Sequence, residues 1–137
     1  MFNKTWVVLS SVSLLTACQA ISPIFVDYHG VRRDVAQWIN HKNLLSMQQK
    51  RDLVAIAQVE QTLNRIKRSS TIEERQTFAA EYHTAYVCHA SQLNPKHVKA
   101  LQLQIYEPSQ LTDLHRFYEN NLRQLEPKPS DIQCNQQ

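Results

Sequence analysis

The chain has 137 residues, with 15 lysines and arginines against 12 aspartates and glutamates, and this balance is too mild to indicate a nucleic-acid-binding protein. Gly30 is its single glycine. Because tight hairpins and phosphate-binding loops depend on glycine, this scarcity argues against a β-sandwich or barrel, a Walker loop and a Rossmann fingerprint. Abundant glutamine, leucine, alanine and lysine favour helix, so we expect an all-α domain.

The first residues have the pattern of a secretory signal peptide. Lys4 supplies a positive charge, and the segment from Trp6 to Leu15 carries no charged residue. Crossing a bilayer core of about 30 Å takes about 20 apolar residues, and this run is shorter. We therefore predict that residues 1–17 are a signal peptide that is removed, which leaves one domain of typical size.

The four residues that end this segment resemble the lipobox of bacterial lipoproteins, in which a leucine and two small residues precede a cysteine: Leu15, Thr16, Ala17 and Cys18. The resemblance implies that Cys18 becomes the first mature residue and carries two or three acyl chains, which hold a protein on a membrane essentially permanently. Residues 18–30 would form a short tether. Gln19 stands where an aspartate would favour the inner membrane, so the resemblance implies the periplasmic face of a Gram-negative outer membrane. The alternative is an ordinary secretory signal with a chance cysteine.

Apolar residues at helical spacing predict the first two helices of the mature domain. A short helix is expected over residues 31–40. Ser46 and Gln49 match a capping box, in which each side chain bonds the other residue's backbone amide. The helix behind this box is expected to run to Arg68. Its apolar stripe consists of Leu53, Ile56, Val59, Leu63 and Ile66.

Three further helices are predicted from start signals later in the chain. A capping box of Ser70 with Glu73, or of Thr71 with Glu74, opens a helix running to about Ser91. Asn94 followed by Pro95 opens the next, where residues 98–106 fit a helix or an edge strand and we favour the helix. Pro108 and Ser109 open the last, which is expected to reach Pro127. Residues 31–127 should thus form a small antiparallel bundle of four to five helices.

The two cysteines that follow Cys18 are expected to form a disulfide. Export would place Cys88 and Cys134 in an oxidising compartment, where an even pair indicates a bridge. Closing a loop of this length would stabilise the domain by about 4 kcal/mol on the chain-entropy model. The bridge would also tie the polar tail, residues 128–137, back onto the domain.

Several clusters invite a catalytic or metal-binding interpretation. His83, Cys88, His89 and His97 are close in sequence, but they contain no His-x-x-x-His or Cys-x-x-Cys pair, so we predict no metal site and no haem or other cofactor. A disulfide would also remove the thiolate that a Cys88 nucleophile needs.

The remaining clusters are expected to be structural. Three glutamates near Arg75 should form a solvated face with local ion pairs: Glu73, Glu74 and Glu81. Clusters of basic residues could contact anionic lipid or an acidic partner, although charges at helix ends usually serve solvation and compensate the helix dipole. They are Arg32 with Arg33, Lys50 with Arg51, and Arg65, Lys67 with Arg68. A group of aromatic residues could line a groove for a partner, but aromatic residues at helical spacing more often belong to the core. The group comprises Tyr82, Tyr86 and Trp38.

These observations predict a membrane-anchored lipoprotein with no catalytic residues, acting by binding another envelope protein. Small helical lipoproteins include the pilotins of secretion systems, so a pilotin-like escort role is an analogy of size and class. The alternative is a small-ligand or metal-binding lipoprotein with a pocket inside the bundle, containing His83, His89 or His97.

Overall fold

A computed structural model of the protein describes residues 30–134. The predicted signal peptide, the lipobox with Cys18 and most of the tether therefore lie outside the described residues. Within the described range the chain forms five α-helices and no strand. Their bounds are α1 Arg33–Asn40, α2 Met47–Ser69, α3 Ile72–Cys88, α4 Pro95–Ile105 and α5 Pro108–Asn121. The predicted all-α bundle is confirmed. Residues 98–106, which fitted either a helix or an edge strand, are helical as far as Ile105.

The helix starts follow the side-chain chemistry that the sequence indicates. At α2, the Ser46 hydroxyl accepts the Gln49 amide at 3.1 Å and the Gln49 side chain accepts the Ser46 amide at 3.0 Å. At α3 the capping box uses Thr71 and Glu74. The alternative box does not form, because the Ser70 hydroxyl donates instead to the Ile66 carbonyl at 2.6 Å.

Three predicted helix bounds are displaced. The first helix begins two residues later than residue 31, although Val31 is buried. The third ends at Cys88, and a 3-10 turn over Ala90–Gln92 follows it. The last ends at Asn121, and another 3-10 turn covers Arg123–Leu125. A 3-10 turn returns side chains to one face every three residues, so the apolar spacing continues after the α-helix has ended.

The second helix is the centre of the bundle, because it contacts each of the other four helices. Its buried face carries Leu53, Ile56 and Leu63, all 0% exposed. Glu60 lies on the same face, four residues after Ile56 and three before Leu63, and it is also 0% exposed. The most central helix thus carries a carboxyl group into the core. None of the helices among the described residues is long and apolar enough to span a membrane.

The segment after α5 returns along α3. Cys88 and Cys134 are joined in a disulfide, with their Cα atoms 5.4 Å apart. Before that point Glu126 accepts a hydrogen bond from the Tyr118 hydroxyl at 2.6 Å, and it lies 3.2 Å from Nδ1 of His83. The disulfide connects the predicted tail to the domain, and the side-chain contacts of Glu126 hold the chain just before that tail.

Candidate functional site

The most unusual group in the core is the carboxyl of Glu60. Its Oε1 accepts hydrogen bonds from the Tyr82 hydroxyl and the Gln102 amide, both at 2.9 Å, and from the Tyr86 hydroxyl. Its Oε2 is buried and has no hydrogen-bond partner. Because buried polar atoms are normally paired, an orphaned carboxyl oxygen in a bundle core needs an explanation.

The hydrogen bonds around Glu60 connect four helices. The Gln102 amide nitrogen also lies 2.9 Å from the Tyr86 hydroxyl and 3.3 Å from Nε2 of His115. The amide has two hydrogens, which its contacts to Glu60 and Tyr86 can use, and His115 is the residue of α5 that adjoins this network. The Tyr106 hydroxyl donates to the backbone carbonyl of Glu60. The carboxyl group is therefore held from α3 and α4, with α5 joined through His115.

A cavity of about 220 Å³ lies against this network, and we call it the tyrosine pocket. Within it the Tyr82 ring packs between the Tyr86 ring, 4.7 Å away between centroids, and the Tyr118 ring, 4.4 Å away. The three donors to Glu60 all belong to the lining, so the carboxyl lies directly behind one wall. The lining comprises Tyr82, Tyr86, Gln102, His115, Tyr118 and Glu119.

The tyrosines of this site are held in their neutral form. Burial, and then the negative charge of Glu60, raise the pKa of Tyr82 and of Tyr86 far above the usual value. The same two causes raise the pKa of Tyr106. Burial and the hydrogen bond to Glu126 raise the pKa of Tyr118. These hydroxyls are consequently stable donors rather than acids or nucleophiles.

The raised tyrosine pKa values predict a loss of stability at alkaline pH. Above about pH 10 tyrosines ionise in the unfolded chain but stay protonated in the folded one, so the unfolded state binds fewer protons. Stability is complete below that pH and falls above it, by about 1.4 kcal/mol per pH unit for each such tyrosine. We expect urea unfolding at increasing pH to show about four times that slope, because four tyrosines have raised pKa values: Tyr82, Tyr86, Tyr106 and Tyr118.

The matched control for this titration is Tyr82→Phe, which should remove about a quarter of that slope because phenylalanine does not ionise. Near-ultraviolet absorbance of tyrosinate, followed in parallel, should appear together with unfolding. Tyrosinate absorbance of more than one of the five tyrosines, from a protein that is still folded, would contradict the burial argument.

The histidines singled out in the sequence are separated from one another. His83 contacts Glu126, whereas Nδ1 of His89 lies 2.8 Å from Oδ1 of Asp52. The Nδ1 of His97 is buried without a partner. Among residues 30–134 no three His, Cys, Asp or Glu side chains are placed to hold a metal ion. The histidine that does line a pocket is His115, which the sequence did not distinguish.

The other predicted clusters have mostly structural contacts. The expected ion pairs of Arg75 with nearby glutamates are wrong for the described residues: its Nε donates to the Ser70 hydroxyl at 2.9 Å and its guanidinium lies over the Phe117 ring. Glu73, Glu74 and Glu81 are exposed, as expected of a solvated face.

Two of the basic residues and Trp38 also have contacts within the domain. Arg32 pairs with Asp34 at 2.6 Å, and the Lys50 ammonium donates to the Asn40 carbonyl at 2.9 Å. The aromatic residues predicted as one group do not lie together. Tyr82 and Tyr86 both contact Glu60, whereas Trp38 lies outside the pocket lining and has the Lys42 ammonium over its ring.

A second cavity, of about 440 Å³, is larger but chemically weaker. It opens at the start of α5, and its charged groups, Lys67 and Asp113, have opposite signs. Asp113 already lies 3.4 Å from Arg116. No buried polar network adjoins this cavity, so the tyrosine pocket is the better candidate site.

Sequence reasoning missed Glu60 and Gln102, and the signal for Glu60 was present. Position 60 continues the apolar stripe of α2, so a glutamate there is a charged residue on a buried face. Such a residue indicates either a paired core carboxyl or a site. Gln102 gave a weaker signal, because glutamine is common on any helix surface.

Comparison with known proteins finds no matching family model, no similar curated protein and no similar solved structure. Function is therefore inferred from the residues of this chain.

Proposed function

We propose that this protein is a lipoprotein, anchored through acyl chains on Cys18 to the periplasmic face of the outer membrane, that acts by binding another envelope component. The lipobox supports the anchor. The structural observation that carries the proposal is the disulfide between Cys88 and Cys134. Such bridges persist in oxidising compartments, so this one supports export to the periplasm. This support is independent of the leader residues.

The chemistry of the polar groups supports a binding role over a catalytic one. A nucleophile needs a base within hydrogen-bond reach, and a general acid or base needs a pKa near the working pH. Cys88 is oxidised, and the tyrosine hydroxyls at Glu60 have pKa values raised away from that range by burial. The Tyr82 and Tyr86 hydroxyls already donate to Oε1 of Glu60.

A pilotin-like escort of an outer-membrane channel subunit is one concrete form of this role, by analogy of size and class. The second candidate is a small-ligand-binding lipoprotein, and the tyrosine pocket favours it. Its metal-binding version is not favoured, because His83, His89 and His97 have separate surroundings.

The anchor is tested by intact mass and membrane fractionation of the native protein beside Cys18→Ala. We expect a diacyl or triacyl mass and membrane association for the native protein, both lost in the variant because the sulfur that carries the lipid is gone. Cys88→Ser is the matched control, since it removes a different cysteine and should keep the acyl mass. A native protein without acyl chains would overturn the anchor.

The binding role is tested by crosslinking in intact cells. The native protein should recover a specific envelope protein that Cys18→Ala, displaced from the membrane, recovers in a smaller amount. Equal recovery from both, or recovery of nothing specific, would count against an accessory role at the membrane.

A further inference from the structure

The charge of Glu60 has no counter-ion in the part of the chain that the structure describes. The ion pairs there involve other carboxylates, and no lysine, arginine or histidine pairs with Glu60. Its three hydrogen-bond donors are neutral groups, and its Oε2 has none. Buried charges are normally paired with an opposite charge, so this carboxyl lacks a cation.

The tyrosine pocket is the cavity next to that carboxyl, and its lining suits a cation. It is lined by three tyrosines, and the faces of aromatic rings carry negative potential. The Tyr82 ring is packed between the other two, so the rings of Tyr86 and Tyr118 are those that a ligand would meet. Glu119 adds a second carboxylate at the rim, where it pairs with Arg123. The lining contains no lysine or arginine that would repel a cation.

We propose that the tyrosine pocket binds a small organic cation, an alkylammonium group, for which Glu60 is the counter-charge. The ammonium would lie among the tyrosine rings, one layer of hydroxyl and amide groups away from the carboxyl. A volume of about 220 Å³ limits the ligand to a small amine. The proposal goes beyond the proposed function and does not depend on the lipid anchor.

The same geometry disfavours the other ligand classes. An anion would need free donors, but the Tyr82, Tyr86 and Gln102 donors are directed to Glu60. A metal ion would need several carboxylate, histidine or thiolate ligands, and residues 30–134 provide no such group. A neutral apolar molecule would leave the charge of Glu60 uncompensated.

The experiment is a calorimetric titration of the purified full-length protein with pairs of probes of equal shape. Butylammonium is compared with butanol, and choline with its neutral carbon isostere dimethylbutanol. We expect each cation to bind at least about tenfold more tightly than its neutral partner, the ratio expected of a desolvated cation among aromatic rings. Equal affinity of cation and isostere, or no binding of any probe at millimolar concentration, would overturn the proposal.

Two variants assign the effect to this pocket. Glu60→Gln keeps an acceptor for the tyrosines but removes the charge, so cation affinity should fall at least about tenfold while isostere affinity stays the same. Glu119→Lys is the second variant, and it keeps the proposal testable if Glu60→Gln fails to fold. Residue 119 is exposed, so its replacement should leave the fold intact. It should weaken only the cations, whereas Glu73→Lys, the same charge change on another exposed residue, should not. Unchanged cation affinity in Glu119→Lys, or an equal loss in Glu73→Lys, would place the binding elsewhere.

Discussion

Replacing Glu60 with leucine is expected to lower the free energy of unfolding by at least about 1–3 kcal/mol, because it leaves buried hydrogen-bond donors without their acceptor. The side chains are similar in size, so the loss does not come from a cavity. It comes from the hydroxyls of Tyr82 and Tyr86 and the amide of Gln102, which lose Glu60 as their acceptor. Each unsatisfied buried donor costs about 1–3 kcal/mol, although the costs are not additive. Urea unfolding measures the change.

Two further variants separate the network from a general effect of removing charge. Glu81→Leu removes an exposed glutamate from the neighbouring helix and should change stability by no more than about 0.5 kcal/mol. Adding Tyr82→Phe and Tyr86→Phe to Glu60→Leu removes the orphaned hydroxyls and should recover part of the loss. If Glu60→Leu were as stable as the native protein, the carboxyl would have no organising role in the core.

Removing the disulfide with the double variant Cys88→Ser, Cys134→Ser is expected to cost about 4 kcal/mol on the chain-entropy model. The two cysteines are 46 positions apart, so the bridge excludes many extended conformations of the unfolded chain. The closed loop contains α4, α5 and the segment with Glu126. Its loss should therefore shift unfolding of the whole domain rather than release the tail alone.

Chemical denaturation of the double variant, of the native protein and of the native protein with a reducing agent provides the measurement. The reduced native protein and the double variant should unfold at the same, lower, denaturant concentration. Cys18→Ala is the control cysteine variant, and its unfolding midpoint should match that of the oxidised native protein. An unchanged midpoint in the double variant would show that other contacts restrain the tail.

Local signals in the sequence predicted where helices begin better than where they end. The capping residues at Ser46, Thr71 and Asn94 act within three residues of themselves, and each begins a helix as expected. The ends after Cys88 and Asn121 were placed too late, since the apolar spacing continues through a 3-10 turn. Burial was predicted correctly for Leu122, which is 0% exposed, but the type of helix was not predicted at either end.

Amphipathic spacing and capping act along one segment at a time, so the amino-acid sequence was sufficient to predict an all-α bundle of four to five helices. Position 60 on the apolar stripe of α2 was visible in the sequence but was not used. The surroundings of that carboxyl depend on tertiary packing, since its donors Tyr82, Tyr86 and Gln102 lie 22, 26 and 42 residues further along the chain. Those distances close only when α2, α3 and α4 pack together. The packing, which depends on the fit of whole helix faces, therefore creates the tyrosine pocket.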